Sequence, residues 1–258
     1  MKHLDYPVMA VDMDGTLLNS AKEVTPRQSA ALARYRALGG KIIIATARSP
    51  RFSGVRAPAG FAYDGRVLCS GSLIYDGEAL IEETLIPPAT VEDVYRALRE
   101  RGCRRFCYTS REGITHADFD SRTLWPYTPF IDMREDPAPC PALKLLIPLD
   151  SVVTAALVAA HCPPSLRLTV IDAGTLAQIT PAQADKWRGI EILLRRWGFA
   201  AQDVLAFGDD RSDLSMLTAA GRGVAMGNGI PAVLEAADDR TASNDQDGIA
   251  VYLEKLGI

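Results

Sequence analysis

The sequence predicts an α/β fold: a doubly wound, mostly parallel sheet with an α+β domain inserted into it. Three observations carry this expectation. Short apolar runs of strand length end in small, hydroxyl or acidic residues; helical patterns separate them; and the middle of the chain reads differently, as β-rich pieces with two helical patterns interleaved.

Taken in order, Val8–Val11 before Asp12 is the first strand. Its hydrophobicity is continuous rather than alternating, as suits a parallel strand covered on both faces. Pro26–Leu38 spaces Ala30, Leu32, Ala33, Tyr35 and Leu38 along a helix that closes on Gly39-Gly40, a C-terminal stop signal. Lys41–Ala45 before Thr46 and Val67–Cys69 before Ser70-Gly71 are the next strands. From about Glu82 to Pro181 the pattern shifts. Strands are expected at Arg105–Thr109, Ala142–Pro148, Leu166–Ile171 and Thr175–Ile179, with helices at Thr90–Arg101 and Ser151–His161. Pro87-Pro88 and Thr180-Pro181 mark the entry and exit of this block. Asp185–Trp197 then sets Trp187, Ile190, Leu194 and Trp197 on one helical stripe. Val204–Phe207 before Gly208-Asp209 and Gly223–Met226 before Gly227-Asn228 complete the strands. The expected organisation is residues 1–81 with 182–258 as the α/β core, and 82–181 as the insertion.

Composition sets bounds. The chain has 258 residues, 48% apolar and 23% charged, enough to bury a core. Its formal net charge of −4 argues against a general nucleic-acid binder, yet leaves room for a small anionic ligand in a local cationic pocket. No apolar run approaches the ~20 residues that span a bilayer, and the start lacks a signal-peptide core, so no membrane partner is expected. The five cysteines (Cys69, Cys103, Cys107, Cys140, Cys162) form neither a paired framework nor a zinc spacing. Free, mostly buried thiols and a cytoplasmic location are expected.

The chemistry lies at the strand ends, where open parallel sheets bind ligands. Asp12-Met13-Asp14-Gly15-Thr16-Leu17-Leu18 follows the first strand directly. Carboxylates at i and i+2 followed by glycine suit one magnesium site, one by its side chain and the other by its backbone carbonyl. An acidic turn is the alternative; a calcium loop is less apt, because Leu17 stands where its turn glycine belongs. Thr46 ends the second strand, Lys186 opens a helix, and Gly208-Asp209-Asp210-Arg211-Ser212-Asp213 follows a late strand.

In order and strand context, these four segments resemble the motifs of the haloacid-dehalogenase-like superfamily. Asp213-Leu214-Ser215-Met216-Leu217, Gly223-Val224-Ala225-Met226-Gly227-Asn228 and Ser243-Asn244-Asp245-Gln246-Asp247-Gly248-Ile249 are similar to the C-terminal half of its Cof-type branch. That resemblance spans about Pro7–Ile86 and Gln178–Leu256. It implies a Rossmann-like core with an α+β cap inserted between the second and third motifs.

It also implies roles. Asp12 is the nucleophile that forms an aspartyl-phosphate, and Asp14 the acid and then base. Thr46 and Lys186 bind phosphoryl oxygens, and Mg2+ is held by Asp12, the Asp14 carbonyl and Asp209. Asp213 holds Lys186 in place, while Asp210 faces solvent or supports from behind. Arg48, Ser70, Gly71, Asn228 and Asn244 lie where substrate could be touched, with loop capping the alternative. Arg104, Arg105 and Arg111 of the cap read more readily as an exposed charged face than as substrate contacts. The chain departs from the branch at Thr46-Ala47-Arg48 (usually Thr-Gly-Arg), at Ser70-Gly71-Ser72 (usually Asn-Gly-Ala or Asn-Gly-Ser) and at Ser212 (usually Asn). The expected function is Mg-dependent hydrolysis of small phosphorylated metabolites, sugar phosphates foremost. A sugar phosphomutase and a non-catalytic metabolite-binding protein are the alternatives.

Overall fold

The computed structural model describes residues 4–50, 61–111, 114–117, 132–133, 141–171 and 174–258, with 114–117 and 132–133 described by their backbone alone. Cys140 of the expected thiols lies outside the described residues. The chain divides into two compact units. One comprises Met1–Ala47, Ser53–Glu82 and Asp185–Ile258; the other comprises Glu83–Ala184 and also takes in Arg48–Phe52.

In the first unit, β1 (Val8–Val11), α1 (Pro26–Ala37), β2 (Lys41–Ala45), β3 (Gly65–Leu68), β4 (Leu73–Asp76) and β5 (Ala79–Glu83) precede the insertion. The insertion holds α2 (Pro88–Arg99), β6 (Phe106–Thr109), β7 (Ile114–Ala117), β8 (Asp132–Met133), β9 (Lys144–Pro148), α3 (Ala155–Ala160), β10 (Leu166–Ile171) and β11 (Leu176–Pro181). The first unit then resumes with α4 (Lys186–Trp197), β12 (Val204–Gly208), α5 (Leu214–Ala219), β13 (Arg222–Ala225), α6 (Pro231–Ala236), β14 (Asp239–Arg240) and α7 (Gly248–Lys255).

The large sheet runs β14-β13-β12-β1-β2-β3-β4-β5. Strands from β14 to β3 pair in parallel and β4 returns antiparallel on β3. Alternate residues of β1 serve opposite faces. Met9 and Val11 join a core with Leu32, Tyr35, Ile249 and Leu253 of α1 and α7. Val8 and Ala10 join another with Ile190, Leu193, Leu194, Met216 and Val233 of α4, α5 and α6. Both faces are therefore covered, which is why these strands are apolar throughout. The chain leaves β1 toward β2 on one side and leaves β12 toward β13 on the other. The carboxyl end of β1 is thus the topological switch point where such sheets open a crevice.

The second unit carries a separate sheet in the order β10-β11-β9-β6-β7-β8. It is antiparallel except for β7 with β8. Val91, Val94 and Leu98 of α2 and Val158 of α3 pack on Phe106, Tyr108, Leu145, Ile147, Ala177 and Ile179 of one sheet face. The expected fold class therefore holds: a parallel α/β sheet and a separate, mostly antiparallel α+β unit. Among the described residues no helix is long and apolar enough to cross a membrane.

Candidate active site

Asp12 is the first residue beyond β1, and its backbone N–H still donates to the carbonyl of Phe207 at the end of β12 (3.1 Å). The loop then folds back on itself: Leu17 N–H bonds to Asp12 O and Leu18 N–H to Met13 O, at 3.1 and 2.8 Å. This tight return needs Gly15, whose φ is +82°. A Cβ there would sit 2.2 Å from Asp209 Oδ2, so only glycine lets the Asp209 carboxylate lie against the loop backbone. Thr16 fixes that carboxylate by donating its hydroxyl to Asp209 Oδ1 at 2.7 Å.

Lys186 approaches from the other half of the chain as the first residue of α4. Asp185 caps that helix, accepting from Trp187 N–H at 2.9 Å and Arg188 N–H at 3.2 Å. The cap packs on the turn after β3: a Cβ on Gly71 would fall 2.3 Å from the Asp185 carbonyl oxygen, and Gly71 has φ +105°. Gly71 thus serves backbone-to-backbone contact that seats the start of α4. Lys186 is 2% exposed. Its Nζ donates to Asp12 Oδ1 and to Asp213 Oδ1, each at 2.6 Å. Asp213 is filled on its other side, Oδ2 accepting from the N–H groups of Asp209 and Asp210 at 3.0 Å. It holds the lysine and the loop after β12 together.

The electrostatics follow from burial. Desolvation by itself would lower the Lys186 pKa, but the carboxylates of Asp12 and Asp213 outweigh it and hold the ammonium charged, above the ordinary lysine value. Burial first, and Asp213 second, push the Asp12 carboxyl well above its usual range against the pull of Lys186. Asp209 is raised to about 6, chiefly by burial, with Thr16 and Lys186 opposing and Asp213 and Asp210 adding to it.

Thr46 is buried beyond β2, its N–H donating to Val67 O at 2.8 Å and its carbonyl accepting from Ser70 N–H at 3.0 Å. Ser70 therefore sits beside Thr46, in the left-handed region with φ 57°. Asp14 turns outward: its carboxylate is 41% exposed and pairs with Lys22 at 2.7 Å. Asn228 has a protein partner at each end of its amide, Gly15 O and Asn244 N–H. Arg48 falls in the second unit. Asp210 is exposed. In the second unit Arg105 pairs with Asp150, Arg111 pairs with Glu83, and Arg104 is exposed. Cys69, Cys103 and Cys107 are buried free thiols, and Cys162 is a half-buried one. Sequence reasoning gave no role to Thr16, Lys22 or the glycine contact at Gly15. Thr16 and Gly15 lie inside the first motif, and nothing local in the sequence marks their contact with Asp209.

The profile of the haloacid dehalogenase-like hydrolase family matches residues 9–253. The chain belongs to this family. It is a hydrolase of the Cof-type branch, as the motifs implied. YxeH of Bacillus subtilis (strain 168), a phosphatase by name, is 31% identical over 281 residues, covering 97% of this chain and 98% of its own. Pyridoxal phosphate phosphatase YbhA of Escherichia coli (strain K12) is 28% identical over 273 residues, covering 95% and 97%. Among solved structures, the subclass IIB sugar phosphatase BT4131 superposes with a TM-score of 0.81 at 22% identity, covering 97% of this chain and 98% of its own; that likeness speaks for the fold alone.

Hydrolases of this family generally use Mg2+, and the residues here fit a divalent cation. Carboxylate oxygens of Asp12, Asp209 and Asp213 lie within 4.8 Å of one another. They are hard oxygen donors, suited to magnesium. One ammonium faces three carboxylates; burial first, and the neighbouring carboxylates after it, push Asp12 and Asp209 upward, and a cation there would oppose that shift. Asp213 has its oxygens committed to Lys186 and two amides, which leaves Asp12 and Asp209 as the side-chain donors.

Proposed function

We propose that this hydrolase cleaves phosphomonoesters of small metabolites, sugar phosphates foremost, through an aspartyl-phosphate on Asp12, with Mg2+ as its cofactor. The observation that carries the reading is the buried Lys186 ammonium, 2.6 Å from the carboxylate of Asp12 and locked there by Asp213. A buried cation at the first residue of a helix is suited to phosphoryl oxygens, because the ammonium and the helix N-terminus act together. Thr46, buried at the end of the neighbouring strand, is the candidate for a hydroxyl contact to the phosphoryl group.

In this mechanism an Asp12 carboxylate oxygen bonds to phosphorus as the ester P–O bond breaks. Asp14 gives its proton to the leaving alkoxide. It then takes one from the water whose oxygen attacks phosphorus, which frees Asp12 and inorganic phosphate. Because Asp14 pairs as a carboxylate with Lys22 in the structure, it must leave that exposed pair and take up a proton from solvent before it serves substrate as the acid. Exposed pairs of this kind hold by about 1 kcal/mol or less, so the exchange is easy. Mg2+ on Asp12, Asp209 and the Asp14 carbonyl would neutralise charge that otherwise keeps an anionic nucleophile from an anionic phosphate. Arg48 and Ser70 are candidates for substrate contact, and the inserted unit for the role of a cap. The relative named pyridoxal phosphate phosphatase supports small phosphorylated metabolites as the substrate class.

The test is phosphate release from a panel of sugar phosphates, pyridoxal phosphate, nucleotides and p-nitrophenyl phosphate, with Mg2+ and with chelator. Magnesium-dependent release from small phosphomonoesters is expected. No release from any member of the panel would overturn the reading.

A further inference from the structure

The loop that carries Asp12 and Asp14 is held from outside by two asparagine amides. Within the loop, backbone bonds tie Leu17 to Asp12 and Leu18 to Met13. The carbonyls of Gly15 and Leu18 are instead taken by side chains. Asn228 Nδ2 donates to Gly15 O at 2.8 Å, and Asn244 Nδ2 donates to Leu18 O at 2.9 Å in a buried bond. The two are linked, because Asn244 N–H donates to Asn228 Oδ1 at 2.9 Å. That link fixes the amide of Asn228: a backbone N–H must meet its oxygen, so its nitrogen must face Gly15. The segment carrying Asn244 is itself anchored on the same stretch of chain. Asp245 accepts from Ser20 N–H and Ser20 Oγ, both at 2.7 Å, and Asp247 accepts the hydroxyl of Thr25, the N-cap of α1.

We propose that Asn228 and Asn244 are positioning residues that set the Asp12–Leu18 loop for phosphoryl transfer. The Gly15 carbonyl is one peptide beyond Asp14 and on the residue pressed against Asp209. Its orientation therefore governs both the Asp14 backbone and the fit of the Asp209 carboxylate. This assignment rests on the phosphatase reading above and departs from the sequence expectation that Asn228 touches substrate. An amide spent on two protein partners acts on the substrate only through the loop.

Two measurements on Asn228→Ala test it, Asn228 being exposed and the milder of the two sites to alter. With p-nitrophenyl phosphate and Mg2+, kcat is expected to fall roughly ten- to a hundredfold while KM stays within about twofold, the mark of a displaced reacting group. A raised KM with unchanged kcat would make Asn228 a substrate contact and overturn the proposal, as would wild-type kinetics. Hydrogen exchange at Leu17 and Leu18 N–H, followed in both proteins, needs no turnover. Faster exchange in Asn228→Ala is expected, and unchanged exchange would overturn the clamp even if the wild type hydrolysed nothing, a result that would sink the phosphatase reading separately.

Discussion

Lys186 Nζ lies 2.6 Å from Asp12 Oδ1, in a buried pair whose members are 174 residues apart in sequence. The pair joins the end of β1 to the start of α4, and so the two halves of the α/β unit on either side of the insertion. It is at once a structural tie and the proposed phosphate site.

Replacing Lys186 therefore acts on both properties. Lys186→Gln leaves Asp12 and Asp213 buried without their cation, which costs on the order of 3 kcal/mol. Chemical denaturation is expected to show that loss, and phosphate release to disappear. A variant as stable as the wild type would mean that the ammonium is not what holds these carboxylates.

The raised pKa of Asp209 predicts a pH dependence in metal-free protein. Burial pushes its carboxyl up to about 6 in the native state, against 3.8 for an ordinary aspartate. Between those values the native state holds more protons than the unfolded one. Stability contributed by this group is thus full below about pH 4 and is lost as pH rises through about 6. Asp209→Asn, which keeps an acceptor for Thr16, should be more stable than wild type by on the order of 2 kcal/mol near pH 7. Thermal denaturation across pH checks this: the gap should close toward about pH 4. In wild type, Mg2+ should raise the melting temperature at neutral pH, and in Asp209→Asn this gain should shrink.

Gly15→Ala places a methyl group 2.2 Å from Asp209 Oδ2 at a φ of +82°. Backbone strain alone costs about 1 kcal/mol, and the carboxylate must also move. Loss of activity larger than the loss of stability is expected, read from kcat against the denaturation midpoint. Equal activity would show that the loop tolerates a displaced Asp209.

Ser70 occupies the left-handed region at φ 57°, ψ 27°. Asparagine tolerates this region better than serine, which gives a physical reason for the Asn usual at this position in the Cof-type branch. Ser70→Asn should stabilise the protein by up to about 1 kcal/mol. A shift of the urea midpoint measures it.

The α/β core was legible because its strands are continuous apolar runs; Val8–Val11 and Lys41–Ala45 fall at the expected residues. The strands β4 and β5 were not, since Leu73–Asp76 and Ala79–Glu83 are short, partly exposed and mixed in polarity. The helix expected over Ser151–His161 begins only at Ala155. The Asp150 carboxylate takes the N–H groups of Val152 and Val153 in a turn, and Thr154 caps the helix instead. At the site, Asp12, Lys186, Asp209 and Asp213 could be read because each sits at a strand end or helix start. The bond from Thr16 to Asp209 and that from Asn244 to Leu18 could not. Their partners lie 193 and 226 residues away, and no local pattern announces either pairing.

Whether Asp12 carries the phosphoryl group is read by acid-quenching the enzyme during turnover of p-nitrophenyl phosphate with Mg2+ and mapping its peptides by mass spectrometry. One phosphoryl group is expected on Asp12 and none in Asp12→Asn, which should also release no phosphate. Phosphate release by Asp12→Asn at the wild-type rate, or a phosphoryl group on another residue, would contradict it.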